Sequence, residues 1–292
     1  MKHTPHTITG KRQLSADVYR MTFLAPYIVE ARKAGQFIII QIDSNFGERI
    51  PLTIADADPV AGSITIIFQA VGKTTLNLAA KNVGDVLGNV LGPLGKPTEV
   101  HRYGTADKPG TVVCVGGGIG VAPMHPIVQA HHAIGNKVVT IMGARNKDLL
   151  ILEDEMKAIS NELIVCTDDG SYGRKDLVTI PLIEWCKTGE VSEVIAIGPP
   201  IMMKFAAEAT RPFGVKTMVS LNTIMVDGTG MCGGCRVNVG GETKFVCVDG
   251  PEFDGHKVDF DNMMMRLKAY KGQESEAAHK CRVGATPAGA AS

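Results

Sequence analysis

The feature that most constrains this sequence is a cysteine motif within the glycine-rich residues 222–250. Cys232 and Cys235 form a Cys-x2-Cys pair, and Cys247 follows after a glycine-containing hairpin. Three thiolates do not complete a four-ligand site, and counting back five positions from Cys232 reaches Asp227. A [2Fe-2S] loop of Cys-x4-Cys-x2-Cys spacing has a ligand at that place, and the neighbouring glycines let the backbone fold tightly around sulfide. We therefore predict a cluster held by Asp227, Cys232, Cys235 and Cys247.

Two other interpretations of this motif stay open. A zinc site would also use the Cys-x2-Cys pair, with Cys247 and His256 as the remaining ligands. Zinc knuckles usually combine two short-spaced ligand pairs, whereas this segment has one, and its glycine content exceeds what tetrahedral zinc needs. The second alternative is a hairpin with free thiols or a disulfide. The spacing and the glycines together favour the iron–sulfur cluster.

The composition limits the classes of function to consider. A length of 292 residues suggests two or three domains. The net charge of zero and the few aromatic residues argue against nucleic-acid binding. No apolar run reaches the roughly 18 residues of a membrane span, and the first residues lack a signal-peptide pattern, so we expect no membrane association. The odd count of seven cysteines predicts a reducing, cytoplasmic setting, with Cys114, Cys166 and Cys186 as buried small hydrophobes.

Residues 1–100 have the pattern of a small antiparallel β-barrel. Stretches rich in β-branched and apolar residues recur at short intervals, at 18–24, 36–42, 49–55 and 63–71. Gly72 then interrupts the last strand, and a short helix follows through about Ala80. Such a turn offers free N–H groups, and the hydroxyls of Thr74 and Thr75, to a phosphate.

Residues 108–221 alternate strands with helices, which indicates a doubly wound parallel sheet. The first strand leads into a glycine-rich turn where a pyrophosphate can approach the backbone at a helix N-terminus. Val121 stands where the Gly-x-Gly-x-x-Gly fingerprint has its last glycine, so a turn built for tight packing is the alternative. This segment and the later turns at the carboxyl ends of strands supply the candidate nucleotide contacts: Gly116, Gly117, Gly118, Ile119, Gly120, Arg145, Asp168, Asp169, Gly198 and Pro199.

Several of these turn residues have two interpretations. Asp168 or Asp169 would accept hydrogen bonds from ribose hydroxyls, or would cap a turn. Arg145 would pair with a 2′-phosphate, or would belong to a solvated loop.

Beyond this sheet, residues 222–268 are predicted to form the iron–sulfur lobe. Residues 269–292, rich in Ala, Gly, Ser and Lys, predict a disordered tail.

The order of barrel, nucleotide sheet and iron–sulfur loop resembles the ferredoxin reductase-like electron-transfer subunits, over roughly residues 5–270. This family includes the small subunits of NADH-dependent ferredoxin:NADP+ oxidoreductases, also known as sulfide dehydrogenase subunits, and the electron-transfer subunits of dihydroorotate dehydrogenases. The former also have Asp in place of the first cluster cysteine, whereas the latter carry four cysteines. The resemblance implies FAD in the barrel, NAD(H) on the sheet and a [2Fe-2S] cluster. It also implies a larger flavin and iron–sulfur subunit as partner, with ferredoxin reached indirectly.

The resemblance also implies roles for individual residues. Arg49 would pair with the FAD pyrophosphate, Leu52 would pack on the isoalloxazine, and Thr53 would hydrogen-bond near its N5, with Pro51 in the same segment. Arg49 stands four residues before Thr53, one more than in the family pattern, and Leu52 replaces an aromatic residue. Gly72, Thr74 and Thr75 match the second phosphate turn, and Gly116–Gly120 match the dinucleotide turn.

The implied mechanism requires no side-chain acid or base, so we predict no catalytic residue. A nicotinamide carries two electrons as a hydride, a cluster takes one at a time, and FAD converts between the two. Electrons would pass between nicotinamide, flavin, cluster and partner in either direction. Asp148 can neutralise Lys147 beside Arg145, so we expect NAD(H) to be preferred over NADP(H). The alternatives are a subunit of a dihydroorotate dehydrogenase-type complex, a stand-alone reductase, and a non-enzymatic assembly module with a zinc hairpin.

Overall fold

The computed structural model describes residues 4–43, 47–108 and 110–284. Its first part has two antiparallel sheets, which confirm the predicted antiparallel barrel class. One sheet contains β1 (Ile8–Gln13), β2 (Val18–Leu24), β5 (Asp56–Asp58) and β6 (Ser63–Gln69), in the order β1-β2-β6-β5. The other contains β3 (Phe37–Gln41), β4 (Arg49–Thr53) and β7 (Asn89–Leu94), in the order β4-β3-β7. We call residues 8–94 the barrel.

The barrel is held together by alternate side chains of these strands, because successive residues of a strand point to opposite faces. The inward set is fully buried in one core: Met21, Phe23, Ile38, Ile40, Ile64 and Ile66. Two short helices complete this part, α1 (Pro26–Ala31) and α2 (Lys73–Ala80). Leu78 of α2 is also fully buried in the core, which fixes the helix against the strands.

The second part is the predicted parallel sheet. Its strands are β8 (Thr111–Gly117), β9 (Lys137–Ala144), β10 (Glu162–Thr167), β11 (Val191–Ile197) and β12 (Lys216–Ser220), in the order β10-β9-β8-β11-β12. All seven residues of β8 are buried, as is typical of a central parallel strand covered on both faces. The covering helices are α3 (Val121–Ala133), α4 (Glu153–Ile159), α5 (Thr179–Lys187) and α6 (Pro200–Thr210). The strand order reverses between β8 and β11, where ligands bind in such sheets.

The third part, residues 222–268, is the lobe that contains the cysteine motif. It consists of β13 (Arg236–Val239) and β14 (Glu242–Phe245), which pair with each other, α7 (Val246–Asp249), β15 (Glu252–Asp254) and α8 (Phe260–Leu267). Strand β15 pairs antiparallel with β12 and extends the parallel sheet at its edge. The lobe therefore shares backbone hydrogen bonds with the nucleotide sheet, which the sequence did not predict.

The prediction of a disordered tail is wrong for residues 271–284, which form α9 (Lys271–Gly284). Ala278 of this helix is buried, and the thiol of Cys281 donates to Asn77 Oδ1 of α2 at 3.4 Å. Glu276 and Lys280 form an ion pair one helical turn apart, which favours the helix. Packing against α2 thus stabilises a helix in a segment whose composition suggests disorder. Residues 285–292 of the predicted tail lie outside the described part. No helix of that part combines the length and apolarity needed to cross a membrane.

Phe253 tests whether β15 is integral to the sheet. Its side chain is 8% exposed and lies in the core that contains Val219 of β12. We expect Phe253→Ala to lower the free energy of unfolding by about 3 kcal/mol, through lost burial and the cavity left behind. Urea unfolding followed by far-ultraviolet circular dichroism measures this. Tyr270→Ala, at a residue 56% exposed, is the control. An equal, small effect of both substitutions would show that β15 contributes nothing to the sheet.

Candidate functional site

All three parts of the chain line one cavity of about 1200 Å³. Its walls come from β3, β4 and β6 of the barrel and from the turns after β8, β9, β10 and β11. Further lining residues are Ser220, Leu221, Asn222, Met225 and Pro251. Twelve of the residues predicted from sequence line it: Pro51, Leu52, Thr53, Thr75, Gly117, Gly118, Ile119, Gly120, Arg145, Asp168, Gly198 and Pro199. A single space thus joins the predicted flavin segment to the predicted nucleotide turns.

The turn after β8 needs its glycines for space. A β-carbon at Gly120 would collide with the carbonyl oxygen of Ile197, and one at Gly117 would collide with the sulfur of Met202. At Gly198, in the facing turn, a β-carbon would lie 3.1 Å from the Gly117 nitrogen. The turns after β8 and β11 therefore approach each other closely at the reversal of strand order. Gly116 and Gly117 are the last two residues of β8 and are both buried, and Gly116 packs toward Met124.

The glycine turn is also suited to an anion. Gly118 has φ +54°, and a β-carbon there would meet no atom within 4 Å, so this glycine is required by backbone conformation rather than by space. Residues 118–120 form a short 3₁₀ turn that leads directly into α3, which begins at Val121. The N–H groups of a first helical turn have no intrahelical acceptor, and they face an anion favourably. The turn thus fits a pyrophosphate.

The two aspartates after β10 have different surroundings. Asp168 lines the cavity beside Arg145. Asp169 is exposed and accepts a hydrogen bond from the Ser171 backbone N–H at 2.9 Å. Hydrogen bonds from Ser171 hold the pKa of Asp169 below its usual value. Asp169 therefore caps its turn, whereas Asp168, which is also exposed, is the aspartate that lines the cavity.

The phosphate turn at the start of α2 is partly engaged with its own residues. The Thr75 hydroxyl accepts hydrogen bonds from the Gly72 and Val71 N–H groups, at 3.0 and 3.1 Å. The Thr74 hydroxyl donates to the carboxylate of Glu48. The Thr74 hydroxyl is therefore already paired within the chain, and the group of Thr74 that could bind an anion is its backbone N–H. Of the three predicted residues of this turn, Thr75 lines the cavity, as does the preceding Val71.

Arg49 has a side-chain donor for which the described part of the chain supplies no acceptor. Its Nε is buried and has no hydrogen-bond partner among the described residues. Its Nη2 lies 3.4 Å from the carbonyl oxygen of Asp227, in the cysteine-containing lobe. A buried guanidinium N–H without an acceptor costs about 1–3 kcal/mol. An anionic group such as the pyrophosphate of FAD fits this donor.

The four predicted cluster ligands lie in two pairs. The Cys232 sulfur lies 3.3 Å from Asp227 Oδ1, and the sulfurs of Cys235 and Cys247 lie 3.2 Å apart. Cys232 is exposed, whereas Cys235 and Cys247 are each 1% exposed. Two pairs of ligands match a two-iron cluster in which each iron takes two protein ligands.

The zinc interpretation finds no support in this geometry. Within the described residues, no three His, Cys, Asp or Glu side chains converge on a common metal position. His256, the fourth ligand of that interpretation, has its Nε2 3.0 Å from the Thr210 hydroxyl instead. Zinc requires four ligands around one ion. The paired arrangement therefore favours the cluster over zinc.

Hydrogen bonds keep Asp227 ionised. Burial acts to raise the pKa of this carboxyl, but bonds from Thr229, Cys232 and Met231 outweigh it and lower the pKa to about 2. The Met231 and Cys232 N–H groups donate to Oδ2 at 2.9 and 3.0 Å. For Cys247, burial and the neighbouring Cys235 thiol raise the pKa. A bound metal reverses this tendency, because a coordinating thiol is deprotonated.

Sequence reasoning missed the apolar walls of the cavity. Phe37 and Phe68 line it from the barrel, and Met225 lines it from the lobe. Phe37 and Phe68 lie in predicted strands, but alternation alone does not separate a cavity wall from a core. Met225 lies two residues before Asp227 in sequence, and this proximity is the signal that could have found it.

Comparisons with known families agree with this geometry. The model described as the iron-sulfur cluster binding domain of dihydroorotate dehydrogenase B matches residues 222–259. The model described as the oxidoreductase NAD-binding domain matches residues 114–208. Fold and site therefore define an oxidoreductase electron-transfer subunit with an NAD-binding sheet and an iron–sulfur lobe, and its ferredoxin reductase-like fold typically binds FAD.

Whole-chain relatives define the family. A Thermotoga maritima protein named dihydroorotate dehydrogenase B (NAD(+)), electron transfer subunit homolog is 46% identical over 267 residues, which are 91% of this chain and 92% of the relative. An uncharacterized Clostridium beijerinckii protein, from the adh 3′ region, is 48% identical over 275 residues, 93% of either chain. The chain belongs to the family of dihydroorotate dehydrogenase B electron-transfer subunits and their homologues.

A solved structure extends the comparison to the whole fold. It is described as that of NADH-dependent reduced ferredoxin-NADP oxidoreductase. It matches with a TM-score of 0.89 at 43% identity, covering 97% of this chain and 100% of that chain. The resemblance inferred from sequence, the fold class and the oxidoreductase class are confirmed. The electron-transfer homologues imply a larger catalytic partner subunit, as predicted.

Substitutions at Asp227 separate ligation from turn capping. Asp227→Asn keeps an oxygen that accepts the Met231 and Cys232 N–H bonds, but an amide is a much poorer iron ligand. We expect Asp227→Asn and Asp227→Ala to weaken cluster retention at least about tenfold, and Asp227→Cys to keep a cluster with a shifted potential. Visible absorption and redox titration measure this, with Asp261→Asn on the surface of α8 as control. An asparagine variant with unchanged cluster and potential would mean that Asp227 only caps the turn.

Proposed function

We propose that the chain is the NAD(H)-binding subunit of a ferredoxin:NADP+ oxidoreductase complex. It would pass electrons between NAD(H), FAD and a [2Fe-2S] cluster, and exchange them with a larger flavin and iron–sulfur subunit. The observation that carries this proposal is the cavity, which brings the flavin segment, the nucleotide turns and the cluster-bearing lobe into contact. The similarity to the solved NADH-dependent reduced ferredoxin-NADP oxidoreductase supports it.

The residues of the cavity would bind and orient the cofactors. Bound FAD supplies the conversion between hydride and single-electron chemistry. Pro51, Leu52 and Thr53 would hold the flavin from β4, and Phe37 would exclude water beside them. The turn at Gly117–Gly120 would hold the nucleotide pyrophosphate. Asp168 would accept hydrogen bonds from ribose hydroxyls. No side chain is required to move a proton.

The cluster would be held by Asp227 and Cys232 at an exposed edge, and by Cys235 and Cys247 inside the lobe. Apolar side chains surround this edge: Val226 is 50% exposed, Met231 89% and Val248 38%. Exposed apolar side chains next to a redox centre fit a docking surface for a partner subunit. Ferredoxin would exchange electrons with that partner rather than with this chain.

A dihydroorotate dehydrogenase-type complex is the second candidate. The match of residues 222–259 to the dihydroorotate dehydrogenase B domain, and the name of the Thermotoga maritima relative, favour it. Against it, Asp227 stands where dihydroorotate-type subunits have a fourth cysteine.

We also propose a cytoplasmic location. All seven cysteines are free thiols in the structure, which suits a reducing compartment.

The cofactor content of the purified chain tests the proposal directly. We expect one FAD, two irons and two acid-labile sulfides per chain, since a [2Fe-2S] cluster contains two of each. Flavin extraction, metal analysis and sulfide assay give these values. One zinc without sulfide would establish the zinc-hairpin module instead. Co-purification of a larger subunit that oxidises dihydroorotate would favour the second candidate.

We expect NADH to reduce the flavin at least about tenfold more efficiently than NADPH. Asp168 lines the cavity, where its carboxylate would repel a 2′-phosphate, and Arg145 is the cation that lines the same cavity. Stopped-flow reduction with each nucleotide measures the preference. The Asp168→Asn substitution should reduce the preference for NADH over NADPH, because it removes the repulsion. The Asp169→Asn substitution should leave that preference unchanged. Equal or faster reduction by NADPH in the unchanged chain would make Arg145 a phosphate-binding residue and reverse the assignment.

A further inference from the structure

Arg49 lies between the two proposed cofactor sites. It begins β4, two residues before the cavity-lining Pro51, and pairs with Gln41 of β3. One nitrogen of its guanidinium reaches the Asp227 carbonyl oxygen at 3.4 Å, across 178 positions of sequence. A second nitrogen, Nε, is buried with no acceptor among the described residues. The same planar group therefore contacts the cluster loop and presents a donor that an anion would satisfy.

The segment that Arg49 contacts is fitted closely to the barrel. Gly228 follows Asp227 with φ +76°, and a β-carbon there would lie 2.7 Å from Ile39 Cγ1 and 2.8 Å from Leu94 Cδ1. Strands β3 and β7 of the barrel thus form the surface on which the Asp227–Gly228 turn lies. The other half of the ligand set, Cys235 and Cys247, is buried in the core that the lobe shares with the barrel and the sheet. The Asp227–Gly228 turn therefore lies directly against the barrel strands, and Arg49 supplies the hydrogen bond between them.

We propose that Arg49 is a positioning residue that couples FAD binding to retention of the cluster. Its Nε side would take an oxygen of the FAD diphosphate, while its Nη2 holds the Asp227 carbonyl and so places the carboxylate for iron. An arginine fork is rigid and planar, so fixing one edge fixes the other. This inference rests on the proposed function, since it requires both cofactors.

The coupling must act in both directions. If FAD makes the Asp227 end of the site more stable, the cluster makes FAD bind more tightly by the same factor. We expect bound FAD to slow loss of the cluster to a chelator at least about fivefold, at the lower end of typical coupling between sites. Lysine carries its donors on one nitrogen at the end of a flexible stem, so it lacks the rigid fork that fixes one bound group relative to the other. Arg49→Lys should therefore abolish this protection while keeping a positive charge for the diphosphate.

The experiment compares FAD-loaded and FAD-depleted full-length chain under anaerobic conditions. Loss of cluster absorbance after addition of an iron chelator gives the rate for each form, and the electron paramagnetic resonance signal of the reduced cluster reports its ligand geometry. Arg236→Lys is the matched control, because Arg236 donates to the Gly233 carbonyl in the same loop at 3.1 Å from within the lobe. It should keep the protection by FAD.

We expect FAD to protect the cluster in the unchanged chain. The Arg49→Gln variant should lose that protection, as should Arg49→Lys. If Arg49→Gln binds FAD too weakly to load, Arg49→Lys decides the outcome. Protection that persists in Arg49→Lys, or that is absent in the unchanged chain, would overturn the proposal. A purified chain that contains neither flavin nor acid-labile sulfide would instead contradict the proposed function. The visible spectrum, recorded before any chelator is added, separates this result from a failure of the coupling.

Discussion

Side chains from all three parts of the chain pack into one continuous hydrophobic core. Phe37 and Ile39 of the barrel, Val219 of the sheet, and Phe253 and Cys247 of the lobe all belong to it. Protein interiors are close-packed and transmit strain rather than deform smoothly. The three candidate cofactor sites are therefore fixed relative to one another by burial, which is what transfer of electrons between bound groups requires.

The cluster loop shows how one carboxylate serves two roles. Asp227 accepts hydrogen bonds from the loop backbone and lies beside the Cys232 thiol. The Thr229 N–H and hydroxyl also donate to this carboxylate, so its acceptor positions are taken within the loop. The position on Oδ1 that the Cys232 thiol occupies would become available for iron, because a coordinating thiol is deprotonated. The same hydrogen bonds that hold the pKa of Asp227 at about 2 keep it an anion and fix its direction. Ligation and loop structure are thus not competing explanations of this residue.

Local patterns in the sequence predicted the elements but not their long-range contacts. The strands at 18–24 and 63–71, the helix after Gly72 and the turn at Gly116–Gly120 all have local signals, and they lie where predicted. Strand β15 has three residues, too few to show periodicity, and its place at the sheet edge is set by β12. The contact between Arg49 and Asp227 depends on packing of the lobe against the barrel. Helix α9 depends in the same way on its packing against α2.

In the proposed function, a single chain carries a flavin and a cluster that both exchange electrons with NADH. Anaerobic titration of the purified chain with NADH, followed by visible absorption and electron paramagnetic resonance, tests it most directly. The account predicts bleaching of the flavin together with a signal from a reduced [2Fe-2S] cluster, both lost on admission of air. A chain that shows flavin reduction without any cluster signal, or no visible absorbance at all, would contradict it.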